Sequence, residues 1–302
     1  MSEITLAIIF NHKYNGNIPK LYDMYCERFS KIIFIVPFYM RGELDEKEYN
    51  IIAVYESSYS FQGYIAQAMA QLGTIDSDHI MFIGDDLILN PEINENNYKD
   101  YFNLDKSTSF NAEICKINER FEKYVWNFDR IKTNLIRLSG DRFVNSKSEL
   151  PSVEEAYNIA AQKGYTDFSF WNSPYYKSVG VDRLKVLAFI FKYSGKKFYP
   201  AFGGYSDFTI VSCEDLQIFV HYCGVLAAMG VFVEIAVPTA MVLACKKIKT
   251  MKDLPYSRGD MWGMELKADF AEEYNYSIQK LYDNWPQDKL YLHPIKLSQW
   301  RE

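Results

Sequence analysis

The sequence predicts an α/β fold: a mostly parallel sheet with helices on both faces, carrying a helical insertion. Two observations point there. Short apolar runs rich in β-branched residues recur through the first third of the chain, near-continuously hydrophobic as strands buried on both faces must be. Between them lie segments whose apolar residues fall at helical spacing, and strand–helix alternation is the pattern of a parallel sheet.

Taken in order, Ile4 to Phe10 is the first strand. Ile18 to Ser30 sets Ile18, Leu21, Tyr22, Tyr25 and Phe29 on one helical face. Ile32 to Phe38 and Ile51 to Tyr55 are the second and third strands. Phe61 to Leu72 reads as a helix stopped by Gly73, and His79 to Ile83 as a fourth strand that runs into Gly84-Asp85-Asp86. These elements fill residues 1–94, the first part of one domain spanning 1–302. Residues 95–170 read as the helical insertion. There Glu113 to Leu138 has the look of a long charged helix, and Ser152-Val153-Glu154-Glu155 is a capping box opening a helix that ends near Gly164. In residues 171–302 mixed structure returns. Phe208 to Val211 is a strand, Glu214 to Met229 a helix, Phe232 to Cys245 a strand region broken by Pro238, and a polar, aromatic tail follows from Asp253.

The net charge of −6, without any long Lys/Arg block, argues against a nucleic-acid partner. Lys246-Lys247-Ile248-Lys249 is a short basic cluster, suited to a solvated turn, a diphosphate or an anionic membrane surface. Five scattered cysteines without CxxC spacing argue for free thiols and against a zinc site. The start of the chain lacks a basic segment and a cleavage site, so it reads as a first strand, and Glu234, Pro238 and glycines interrupt the most apolar stretch, Gly224 to Cys245.

Ligands of open α/β sheets bind beyond the carboxyl ends of the strands. Asp85 and Asp86 follow such an end. Adjacent carboxylates there offer hard oxygen ligands to a divalent cation that bridges two phosphates, although Gly-Asp-Asp is also ordinary turn chemistry. Nucleobase contacts are expected from Phe10-Asn11, Tyr55, Ser60 and Gln62, with Gly63 letting a helix approach the ligand. Asn11 and Gln62 have the paired donors and acceptors a base edge needs, and each equally suits a cap or a turn. Glu234 lies in an apolar run, where a carboxylate needs a partner such as Arg183 or a function such as binding or catalysis.

With this order of elements and Gly84-Asp85-Asp86 at a strand end, residues 4–100 and 195–245 resemble the GT-A (Rossmann-type) fold of nucleotide-sugar glycosyltransferases, of the kind that builds bacterial surface glycans. That family opens with a nucleotide-binding α/β half and sets an acidic DxD-type motif after a strand. Gly84 departs from it at the first position. The resemblance implies that Asp86 holds Mn²⁺ or Mg²⁺ and that Asp85 contacts ribose or the metal. Gly203-Gly204-Tyr205, followed by Glu214-Asp215, is similar to the Gly-Gly-aromatic turn and Glu-Asp pair of inverting members, which implies that Asp215 is the base for the acceptor hydroxyl. Asp215 also falls where a helix-capping residue would sit, and Asp207 is its rival as base. A C-terminal His brought back to the cation would be His293, which otherwise reads as a surface residue of the tail, and the neighbouring Lys296 would reach a phosphate.

The expected function is thus metal-dependent transfer of a sugar from a nucleotide-diphosphate donor to a saccharide or lipid-linked acceptor, in a cytoplasmic enzyme of polysaccharide synthesis with peripheral contact to the membrane's inner face. One alternative is a sugar nucleotidyltransferase, although the loop from Phe10 to Gly16 lacks the glycine- and basic-rich character of a phosphate loop. The other is a non-catalytic nucleotide-sugar-binding protein of the same fold.

Overall fold

The apolar runs assemble into a seven-stranded sheet in a computed structural model that describes residues 3–44, 49–120, 126–140, 142, 144–174, 181–261 and 268–301. Besides short 3-10 turns, the elements in chain order are β1 (Ile4–Ile9), α1 (Asn17–Tyr25), β2 (Ile32–Pro37), β3 (Ile51–Val54), α2 (Gln62–Gln67), α3 (Met69–Leu72), β4 (His79–Gly84) and β5 (Ile88–Leu89). Then come α4 (Tyr98–Phe102), β6 (Thr108–Asn111), β7 (Ile114–Lys116), α5 (Phe128–Ser139), α6 (Val144–Lys147), α7 (Val153–Gln162) and α8 (Val181–Lys192). The last third holds β8 (Phe202–Gly204), β9 (Phe208–Ser212), α9 (Leu216–Ala228), α10 (Val233–Ala244), β10 (Lys247–Lys249), α11 (Ala268–Glu273), α12 (Ile278–Asp283) and β11 (Tyr291–Leu292).

The sheet order is β10-β6-β9-β4-β1-β2-β3. Strands β3, β2, β1 and β4 run parallel, β9 runs antiparallel to both β4 and β6, and β10 runs parallel to β6. The 3-2-1-4 order of these strands is compatible with a Rossmann-like sheet. The chain builds outward from β1 to β3 and then crosses back to place β4 on the other side of β1. The crevice at that reversal is where such sheets bind ligands.

Alternation along the strands divides the core in two. Ala7, Ile9, Ile80 and Phe82 face one apolar cluster with α2, α9 and α10. Leu6, Ile8, Met81 and Ile83 face the other, with α1, α4 and the C-terminal segment. Both faces are therefore covered, as the near-continuous hydrophobic strands required.

Several elements differ from expectation. Phe232 to Cys245 is not a strand: α10 occupies it, with Pro238 inside, and nearly every side chain from Ile235 to Leu243 is buried. A helix apolar on all sides has no amphipathic period, so its sequence matches that of a buried strand. Residues 95–170 are not purely helical. They supply β6 to the main sheet and β7 to a small ladder with β8, so the expected helix from Glu113 begins only at Phe128, and its residues 121–125 lie outside the described ones. The helix from Phe61 is broken into α2 and α3. Lys247–Lys249 is an edge strand instead of a turn, where lysines discourage further pairing. The capping box of Ser152 and Glu155 forms as expected.

Candidate functional site at the sheet crevice

Beyond the carboxyl ends of β1 and β4 lies a cavity of ≈ 950 Å³. Asn11, leaving β1, ties its acidic floor together: its backbone N–H donates to Asp85 Oδ1 at 3.2 Å and its side-chain amide to Asp207 Oδ1 at 3.4 Å. Asp207 precedes β9, and its carbonyl accepts from Gly84 N at 3.0 Å, so the antiparallel pairing of β4 and β9 sets the two acidic loops side by side. Asn111, buried on β6, donates to Tyr205 O at 2.7 Å and holds the approach to Asp207.

Gly84 has a local reason in this packing. A Cβ there would sit 3.0 Å from Asp86 Oδ1 and 3.7 Å from Asp207 Cβ. The glycine at the first position of the acidic triplet leaves room for the carboxylates to face one another.

The C-terminal segment completes the floor. Pairing of β11 with β5 sets Leu292 against Ile88, and Ile295 N donates to Asp86 O at 2.7 Å. This carries His293 in from the end of the chain. Its Nε2 lies 3.1 Å from Asp86 Oδ1, and its Nδ1 meets the Tyr205 hydroxyl. His293 N donates to Gly259 O, whose glycine is required because a Cβ there would fall 1.6 Å from Tyr291 O.

The electrostatics follow from burial and crowding. Desolvation, then the neighbouring Asp86 charge, push the Asp85 carboxyl up to about 8. Asp207 is also raised, first by burial; His293 opposes the rise and Asp86 adds to it. Burial pulls His293 down, but the Asp86 carboxylate outweighs it and lifts the imidazole to about 9.

The rest of the lining is basic and aromatic. The Arg120 guanidinium lies 4.9 Å from the Trp126 ring and pairs with Glu113. Arg258 pairs with Glu113 and Asp260, at 2.6 Å each, and lies 5.6 Å from the Tyr205 ring. Arg130 lies 4.3 Å over Phe232, and Glu234, in the first turn of α10, shares this part of the cavity.

Of the residues singled out in the sequence, Asn11, Asp85, Asp86, Asp207, Glu234, His293 and Lys296 line this cavity together. Others are placed elsewhere. Phe10 is fully buried core. Tyr55 is exposed, and its N–H donates to Gln67. Ser60 is not among the lining residues, although its neighbours Ser58, Tyr59 and Phe61 are. Gln62 is buried, with Nε2 donating to Val231 O at 2.8 Å. Gly63 admits Glu56 and Ala227 instead of a ligand: a Cβ would meet their side chains at 3.1 and 3.2 Å. Glu234 starts a helix and does not lie within an apolar strand.

Asp215 is the largest correction. Because β9 runs antiparallel to β4, its end at Ser212 lies beside His79, the start of β4. Asp215 follows that end, at the N-cap of α9, and its Oδ2 accepts from Lys246 N at 3.0 Å. The length of β4, roughly 20 Å at ~3.3 Å per residue, separates it from the acidic floor. It cannot serve as a base there. The Gly203-Gly204 pair is likewise not a turn but strand β8, where a Cβ on Gly204 would collide with Glu113 O at 1.8 Å.

Arg120, Trp126, Arg130 and Arg258 were not visible as site residues in the sequence. They come from separated loops and helices with no motif of their own, and only the fold gathers them. No family model and no curated protein matches the chain.

Proposed function

We propose that the chain is a glycosyltransferase that uses a nucleotide-diphosphate sugar and a divalent cation. One observation carries this reading: Asp85, Asp86, Asp207 and His293 converge at the strand-order reversal of a Rossmann-type half-sheet, in a cavity large enough for a nucleotide sugar.

The donor set fits a hard cation. Asp86 Oδ1 is buried and lies 3.1 Å from His293 Nε2, so a carboxylate and an imidazole already face one another. Among the described residues no group of three Asp, Glu, His or Cys side chains is gathered at ligand geometry, so phosphate oxygens would supply much of the coordination. Asp86 and His293 would hold the ion, with Asp207 beside them. Such a cation neutralises charge on a departing diphosphate.

The chain's own residues do the rest. Asn11 and Asp85 hold the donor end of the crevice, and Lys296 reaches phosphate. Arg258, Arg120 and Arg130, backed by aromatic rings, orient the polar parts of the substrates. A carboxylate, Asp207 or Glu234, takes the acceptor hydroxyl proton. The acceptor oxygen bonds to the anomeric carbon, and the bond from that carbon to the phosphate oxygen breaks, its electron pair leaving with the nucleoside diphosphate.

The test is calorimetry of nucleoside diphosphates against the whole chain, with and without Mn²⁺. Mn²⁺-dependent binding of one or more of them supports the proposal. Absence of binding in both conditions overturns it.

A further inference from the structure

Helix α8 is apolar on two faces, and only one is covered. Val186 and Phe189 point inward, where Phe189 packs on Phe128, Phe170 and Phe198 at centroid distances of 5.5, 5.7 and 5.0 Å. Leu184, Ala188 and Phe191, spaced i, i+4 and i+7, form a stripe on the outer face. Leu184 is 68% exposed and Phe191 70%. Trp171, 46% exposed, meets the Phe191 ring edge-on at 6.3 Å and extends the patch. Clustered exposed aromatic and aliphatic side chains on a helix mark an interaction surface.

The rim of this patch is basic. Lys192 ends the helix, and Lys196 and Lys197 follow in the next turn. Their ammonium groups lie over aromatic rings: Lys192 on Tyr193 at 5.4 Å, Lys196 on Phe198 at 5.8 Å and Lys197 on Tyr157 at 4.2 Å. None of the three has a carboxylate partner among the described residues, in a chain whose net charge is −6. In the other basic cluster, Lys246 pairs with Glu214 and Lys247 with Asp105. Behind Trp171 and Phe191 opens a second cavity of ≈ 410 Å³, lined mainly by aromatic rings and by Lys196 and Lys197.

We infer that this face docks on a membrane surface bearing anionic lipid headgroups. Trp171, Leu184 and Phe191 enter the boundary between headgroups and acyl chains, and Lys192, Lys196 and Lys197 meet the lipid phosphates. Apolar residues on one side of a helix with lysines around them are what an interfacial helix needs, and each cation near an anionic leaflet adds to the attraction. A symmetric contact with a second copy would set the same lysines against one another, which disfavours that occupant. The inference stands apart from the donor-site reading, since neither nucleotide nor metal enters it.

The test is sedimentation of the whole chain with two kinds of vesicle: pure phosphatidylcholine, and phosphatidylcholine mixed with about one-third phosphatidylglycerol as the anionic lipid. Binding is expected to the mixed vesicles and to be weak on the neutral ones. Replacing Lys192, Lys196 and Lys197 together by Glu should weaken it by roughly a hundredfold or more, from about a fivefold loss per cation. Leu184→Ser with Phe191→Ser should weaken it without changing the charge. All five positions are exposed, and an unchanged melting curve would show that the variants fold. Binding to neither vesicle, equal binding by every variant, or self-association that Phe191→Ser abolishes in the absence of lipid would each overturn the inference.

Discussion

Asp86 Oδ1 and His293 Nε2 lie 3.1 Å apart, although one residue lies just beyond the fourth strand and the other near residue 300. The short β5–β11 ladder and the bond from Ile295 N to Asp86 O are what join them. This pair is the centre of the candidate site.

Asp86→Ala is expected to abolish Mn²⁺-dependent binding of nucleoside diphosphates and to lower the melting temperature, because the side chain is partly exposed but pairs with the buried His293. Calorimetry beside a thermal melt checks both. Unchanged affinity would remove the cation from the proposal.

His293→Gln keeps polar atoms near Tyr205 but removes the imidazole that faces Asp86. Mn²⁺ affinity should fall by at least about tenfold, the loss that even an outer partner of a metal ligand produces. The readout is Mn²⁺ titration in the presence of a nucleoside diphosphate. A variant with wild-type affinity would leave His293 as a structural partner of Asp86 alone.

Gly84→Ala probes the crowding of the floor. Its Cβ would press on Asp86 Oδ1 at 3.0 Å, the end of a movable side chain, so the fold should survive. Cation-dependent affinity should drop several-fold as the carboxylate turns away. A tenfold loss corresponds to about 1.4 kcal/mol. An unaltered binding isotherm would show that the close approach of these groups has no bearing on the ligand.

The base is assigned by comparing rates. Asp207→Asn and Glu234→Gln should separate, with the true base losing about two to four orders of magnitude in turnover. Asp215→Asn, at the far end of β4, should leave turnover near wild type. Loss of activity in Asp215→Asn without loss of stability would contradict its placement outside the site.

Asp215 carries its own pH signature. Burial raises its carboxyl pKa, with the Lys246 N–H and the Lys246 charge opposing. A carboxyl raised on folding is harder to ionise in the native state, so stability is lost as pH climbs from the unfolded value through the native one. Asn has no such penalty and can still accept from Lys246 N. The melting temperature of Asp215→Asn relative to wild type should therefore be higher at about pH 7 than at about pH 4. An offset that does not vary with pH would show that ionisation of this group is not coupled to folding.

The local pattern of the chain determined the strands β1 to β4, the helices between them, the capping box at Ser152 and the acidic end of β4. Each is a short-range property: a run of apolar residues, a helical period, or a side chain hydrogen-bonding its own backbone. Helix α10 was not legible, because a helix buried on every side has lost the period that tells it from a strand. The direction of β9 was not legible either, and it decides that Asp207 joins the site while Asp215, only eight positions further on, lies at the opposite end of the sheet. Tertiary packing likewise brought in the arginine wall, and it turned Gly63 and Gly204 toward neighbouring backbone and side chains instead of a ligand. Strand order and orientation come from which apolar faces pack together across the whole chain, and no short segment of sequence carries that information.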